Sequence, residues 1–171
     1  MIILGIAAAV VVLPVAAILA IGARLPVAHR ASASATYGRP PEEVWRTLID
    51  FDEHPSWRRG LRAVEHTGDT VKEISTKGEA MTFETSEDAE HRRMTRRIAD
   101  RNLPFGGSWT FQVAPSNGGS RVTITEDGEV YNVVFRFVSR YIMGHHATIK
   151  AFLEDLGRKF DETTEVAVER S

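Results

Sequence analysis

The chain has 171 residues and a formal net charge of −2. That length suits one domain with an appendage, and the near-neutral charge gives no bulk reason to bind nucleic acid. The absence of cysteine excludes a disulfide scaffold, a thiolate metal site and a cysteine nucleophile.

Ile2 to Ala23 is an unbroken run of Ile, Leu, Val, Ala and Gly with one proline and no charge. As a helix it would extend about 33 Å, enough to cross a hydrocarbon core of about 30 Å once. Pro14 would cost about 3 kcal/mol inside an exposed soluble helix, but membrane helices tolerate such kinks. No Lys or Arg precedes the run, which argues against a cleaved secretory leader. The reading is one transmembrane helix, residues 1–24, holding the protein to the bilayer through 2–23. Arg24 and Arg30 follow the run, so the positive-inside rule puts the folded part in the cytoplasm. A tether, 25–31, leads to the domain.

His29 to Gly38 reads as a first strand. Pro40-Pro41-Glu42-Glu43 opens a helix, since proline suits a first turn and acids suit its positive end. Val44, Trp45, Leu48 and Ile49 give that helix an apolar face. A break and a short second helix follow at Asp52-Glu53-His54-Pro55-Ser56-Trp57. The period then changes to two. Strands are expected at Leu61–His66, Val71–Lys77, Glu79–Thr85, Arg92–Ala99, Ser108–Val113 and Arg121–Val130, with turns at Gly68-Asp69, Lys77-Gly78 and Asn117-Gly118-Gly119. Short connections favour an antiparallel meander. Met81 and Phe83 share one face, as do Met94, Arg96 and Ile98, Trp109, Phe111 and Val113, and Val122, Ile124 and Glu126. Threonines dominate the other face, as in a sheet covered on one side.

Asn132, placed as an N-cap, begins a long helical segment ending at Phe160. Phe135, Val138, Ile142, Ile149, Leu153, Leu156 and Phe160 form its stripe, and Gly144 is placed to bend or split it. Residues 161–171 read as an acidic, solvated tail. The fold class is therefore α+β: a seven-stranded antiparallel sheet curled around a long C-terminal helix, behind one transmembrane helix. Sheet and helix should enclose an apolar space, the usual place for a ligand.

This order, with Pro41-Glu42-Glu43-Val44-Trp45, Asp50-Phe51, His54-Pro55-Ser56-Trp57, Gly107-Ser108-Trp109-Thr110-Phe111 and Gly119 through Glu126, resembles the START-like helix-grip superfamily in its polyketide cyclase/dehydrase (SRPBCC) branch. The likeness covers roughly 32–160. It implies a hydrophobic cavity for lipids, polyketides, sterols, quinones or similar molecules. Some relatives are enzymes and many only bind or carry. The family offers no universal catalytic motif to carry over, and the anchor is an addition to its common pattern.

The candidate ligand-binding residues are Trp57, Phe83, Arg96, Trp109, Glu126, Tyr141 and His145. A charge on an inner face must be paired, hydrated or functional. Arg96 and Glu126 are thus either polar anchors for a ligand head group or strand-end positions open to water. His145 and His146 interrupt the stripe, either as cavity-facing imidazoles or as a polar patch at the bend. Trp57, Trp109 and Tyr141 could line the space or pack as core. Arg92, Arg93, Arg96, Arg97 and Arg101 form a basic cluster whose functional reading is an anionic leaflet. No metal or cofactor is expected, since no metal-ligand spacing or nucleotide-binding motif occurs. The expected function is binding of a hydrophobic small molecule or lipid at the membrane. A cyclase, dehydratase or hydrolase acting in the same space, and a protein-interaction module, are the alternatives.

Overall fold

A computed structural model describes the backbone of residues 2–169; the side chains of 2–12 and of Met143 lie outside the described residues. Helix α1 covers Ile2–Arg24 and contains Pro14. Half of the expected membrane span, residues 2–12, thus falls on side chains that are not described. Among the described residues, no helix is long and apolar enough to cross a membrane.

The domain opens with β1 (Ala28–Tyr37), in which Ala31, Ala33, Ala35 and Tyr37 turn one buried face to the interior. Pro41 starts α2 (Pro41–Ile49), and Val44, Trp45 and Leu48 bury its apolar side. A 3-10 turn at Phe51–Glu53 leads into α3 (His54–Trp57). Then come β2 (Leu61–Thr67), β3 (Thr70–Ser75), β4 (Ala80–Asp88), β5 (Arg93–Ile98), β6 (Phe105–Ser116) and β7 (Gly119–Val130). The last two run longer than their alternation alone suggested. Their hairpin turns at Asn117-Gly118, where both residues have positive φ, the geometry a two-residue hairpin needs.

After β7 the helical segment is broken. Asn132 caps α4 (Val133–Val138), its side chain accepting hydrogen bonds from the amides of Val134 and Phe135. A π-helical turn, Ser139–Met143, ends at Gly144 (φ +74°), and α5 (Ala147–Lys159) restarts beyond it. The expected stripe divides accordingly. Ile149, Leu153, Leu156 and Phe160 are buried against the sheet, whereas Phe135 and Ile142 are exposed. The upstream half packs on α1 instead. Arg136 Nη1 donates to the carbonyls of Gly22 and Leu25, and a Cβ at Gly22 would fall 2.2 Å from Val133 O. The end of α1 is therefore pinned to α4.

The sheet has eight strands among the described residues, in the order β2-β3-β4-β5-β6-β7-β1-β8. The expectation of seven is corrected by β8 (Ala167–Glu169), which pairs antiparallel with Ser32–Ser34 of β1. Part of the acidic tail thus folds back to cover an edge whose backbone groups would otherwise be unpaired. Helix α5 lies across the inner face. Tyr37 donates its hydroxyl to Leu153 O at 2.8 Å, and Asp155 accepts from the backbone amide and Nε of Arg59, both at 2.9 Å. Val44, Leu48, Phe111, Val122, Ile124, Ile149, Leu153 and Leu156 form the centre of the core.

Candidate functional site

The inner face carries polar side chains in two groups. The first surrounds Arg96, which lies in mid-strand on β5 and is only 5% exposed. The strand-end reading of this residue is therefore wrong. Its Nη1 donates to Glu73 of β3, and its guanidinium lies between the rings of Phe51 and Phe83, 4.6 and 4.3 Å from their centroids. Arg58 Nη1 donates to the same Glu73 oxygen at 2.8 Å, and that guanidinium sits 5.0 Å from the centre of the Phe152 ring. His54 completes the group. Its Nε2 donates to Leu48 O at 3.1 Å, so its Nδ1, 3.3 Å from Arg58 Nη1, is the acceptor. Only the neutral imidazole satisfies both contacts. Burial, helped by Arg58, pushes its pKa down to about 3. Burial alone would raise Glu73, but Arg58 and Arg96 together hold it at about 2.

The second group lies where β1 and β7 meet the start of α5. His29 Nε2 donates to Glu126 Oε1 at 3.3 Å. The His29 ring stacks on His145, with centroids 3.9 Å apart. Register explains the convergence. Glu126 is the cross-strand partner of Ala31, and Gly128 is the partner of His29. A Cβ at Gly128 would stand 2.3 Å from the His29 ring, so glycine provides the space in which that ring reaches Glu126. Burial, then the neighbouring His29, lowers the His145 pKa. Among the described residues, no group of three His, Asp or Glu side chains is arranged to hold a metal ion.

The remaining candidates stand in different relations to these groups. Trp57 is buried, in contact with His54 and Phe152. Trp109 also touches Phe152 and is the cross-strand neighbour of both Arg96 and Glu126. Phe83 lies over Arg96. Tyr141 is 60% exposed on the π-helical turn and packed on Phe137. His29, His54, Arg58 and Glu73 were missed in the sequence. The signal for two of them was present: His29 is in phase with Ala31, Ala33 and Ala35, and Glu73 with Val71.

The space beneath α5 is not the open hollow anticipated. Trp57, Phe111 and Phe152 fill it with edge-on and tilted aromatic contacts, 5.3–5.4 Å between centroids. The inner face is covered less toward the other end, where Phe83, Ile98, Trp109 and Glu126 are only half-buried. A cleft of about 340 Å³ runs beside His29, along 28–30 and 127–129. Another of about 660 Å³ lies outside the core, between Pro40-Pro41 and the Pro115–Gly119 hairpin.

A curled antiparallel sheet closed by a C-terminal helix, with polar groups on its inner face, defines a START-like domain. The family model for polyketide cyclase / dehydrase and lipid transport matches residues 28–161, and the chain belongs to that family. No curated protein sequence matches the chain. Solved structures share the fold. A conserved protein from Geobacillus kaustophilus is 17% identical, with 81% of this chain and 99% of that one covered and a TM-score of 0.66. Norcoclaurine synthase from Thalictrum flavum is 15% identical over 80% of this chain and 88% of its own, with a TM-score of 0.62. A START superfamily protein from Mycobacterium smegmatis is 13% identical over 78% and 97%, with a TM-score of 0.61.

Proposed function

We propose that this protein is a membrane-tethered domain that binds a hydrophobic small molecule or lipid between the sheet and the 139–160 segment. The observation that carries the reading is the incompletely covered apolar stretch of the inner face, Phe83, Ile98 and Trp109, in a family whose description includes lipid transport. Apolar surface left part-open beside a packed core gains free energy when a ligand covers it, about 25 cal/mol per Å². The apolar sequence of α1 supports a bilayer as the source of that ligand, with Arg24 and Arg30 keeping the domain on the cytoplasmic side.

The test is mass spectrometry of the organic extract of the purified full chain after exposure to a total lipid extract. A retained apolar molecule in near-stoichiometric amount is expected. A chain that retains none would overturn the reading.

One observation favours an enzyme as the second reading. Glu126, His29 and His145 stand in contact, an arrangement in which a carboxylate orients an imidazole that could move a proton. In that case His29→Gln would abolish turnover while leaving ligand retention intact.

A further inference from the structure

Thr85, Arg96, Trp109, Glu126 and Ala31 are successive cross-strand partners on β4, β5, β6, β7 and β1, so they form one rung across the inner face. Three of these side chains hold buried polar atoms without a hydrogen-bond partner: Thr85 Oγ1, Arg96 Nε and Nη2, and Glu126 Oε2. Polar atoms hidden from water are normally paired, so their concentration on one rung marks a place made for a ligand's polar groups.

The chemistry at each position is distinct. Arg96 spends Nη1 on Glu73 and keeps Nε and Nη2, the side of a guanidinium that presents two parallel N–H donors and matches a carboxylate. Arg58, Arg96 and Glu73 together carry one uncompensated positive charge, because His54 is neutral. A single negative charge restores the balance, which favours an anionic group beside the buried Arg96. Two strands away, about 10 Å at the usual strand spacing, Glu126 Oε2 is a free acceptor that suits a hydroxyl. Between the two poles lies the half-buried Trp109 indole, a flat apolar surface.

Building on the small-molecule reading, we infer that the ligand is an aromatic or similarly flat apolar monocarboxylate bearing a hydroxyl at its far end. The carboxylate sits in the Arg96 fork and accepts from the Thr85 hydroxyl, the body lies on Trp109, and the distal hydroxyl donates to Glu126.

The test uses the full chain in phosphatidylcholine nanodiscs and three probes: 6-hydroxy-2-naphthoate, its methyl ester and 2-naphthoate. Binding is read by energy transfer from tryptophan to the naphthalene, corrected with empty nanodiscs. The hydroxy acid is expected to bind at least tenfold more tightly than its ester, and several-fold more tightly than 2-naphthoate. Arg96→Lys keeps the charge but removes the fork and should reduce the preference for acid over ester several-fold without abolishing it. Glu126→Leu, which removes the acceptor, should erase only the preference for the hydroxyl. The comparison of acid with ester on the unaltered chain stands even if a variant misfolds. Equal binding of acid and ester overturns this inference. So does failure of all three probes to bind. If apolar molecules are still recovered from the lipid extract in either case, the broader binding reading survives; if nothing is retained there either, both fall.

Discussion

The imidazoles of His29 and His145 lie face to face, 3.9 Å between centroids with 22° between their planes. Partial burial of His145, and then the neighbouring His29, disfavour its protonated form. Its pKa is accordingly lowered, so it stays neutral to a lower pH than a free histidine. Titration followed by imidazole resonances should show His145 protonating below the ordinary midpoint near 6.5. Replacing His29 with Gln should move that midpoint upward. An unchanged midpoint would refute the coupling.

His54 and Glu73 make the domain sensitive to acid in two stages. Both have folded-state values depressed below their unfolded ones, so each contributes stability that disappears as pH falls. Between about pH 6.5 and 4.5 His54 contributes and Glu73 does not, the His54 share being about 1.4 kcal/mol per pH unit. Below about 4.5 Glu73 adds a similar slope, which continues toward about 2. Urea unfolding of the full chain, followed by the fluorescence of Trp57 beside His54, measures both. His54→Asn should flatten the upper stage and leave only the Glu73 slope below about pH 4.5.

Among the described residues Glu73 is the only acceptor for Arg96, and it also binds Arg58, so its removal strands the Arg96 guanidinium in the interior and leaves Arg58 without its carboxylate. Glu73→Met is expected to cost about 3–5 kcal/mol, the usual penalty for breaking one side of a buried ion pair. Adding Arg96→Met should restore part of that loss, because the second apolar side chain no longer has a charge to leave bare. A double-mutant cycle on unfolding free energies checks this. Strictly additive costs would show that the pair is not coupled.

The membrane reading of α1 has a direct biochemical consequence. The full chain should remain in the membrane pellet after alkaline carbonate extraction, whereas removal of residues 2–23 should release the domain. Protease added to inside-out vesicles should reach the domain, and protease added to sealed right-side-out vesicles should not. Release of the full chain by carbonate would remove the tether from the account.

The sheet was legible in the sequence because its strands alternate strictly. Met94, Phe111, Val113, Val122 and Ile124 point inward as their spacing requires, and the turns fall at glycines. The break near Gly144 could also be read. Periodicity could not show that Phe135 and Ile142 would miss the core, because a stripe says which residues share a side and not what they face. Nor could it find β8, a three-residue strand in a charged tail whose pairing depends on the free edge of β1. The site was half legible. Arg96 and Glu126 stood out as charges in apolar phase, but their partners Glu73 and His29 lie 23 and 97 positions away in the chain. Such partnerships arise from register across strands, which the local pattern does not contain.

Arg136 grips the end of α1 and the residue just beyond it through the carbonyls of Gly22 and Leu25, while its own helix leads directly into the Gly144 break. The join is short and hydrogen-bonded, which opposes free swivelling of the domain about it. Tilting α1 would turn the whole domain with it, and the bearing of the His29 cleft would follow from how that helix is seated.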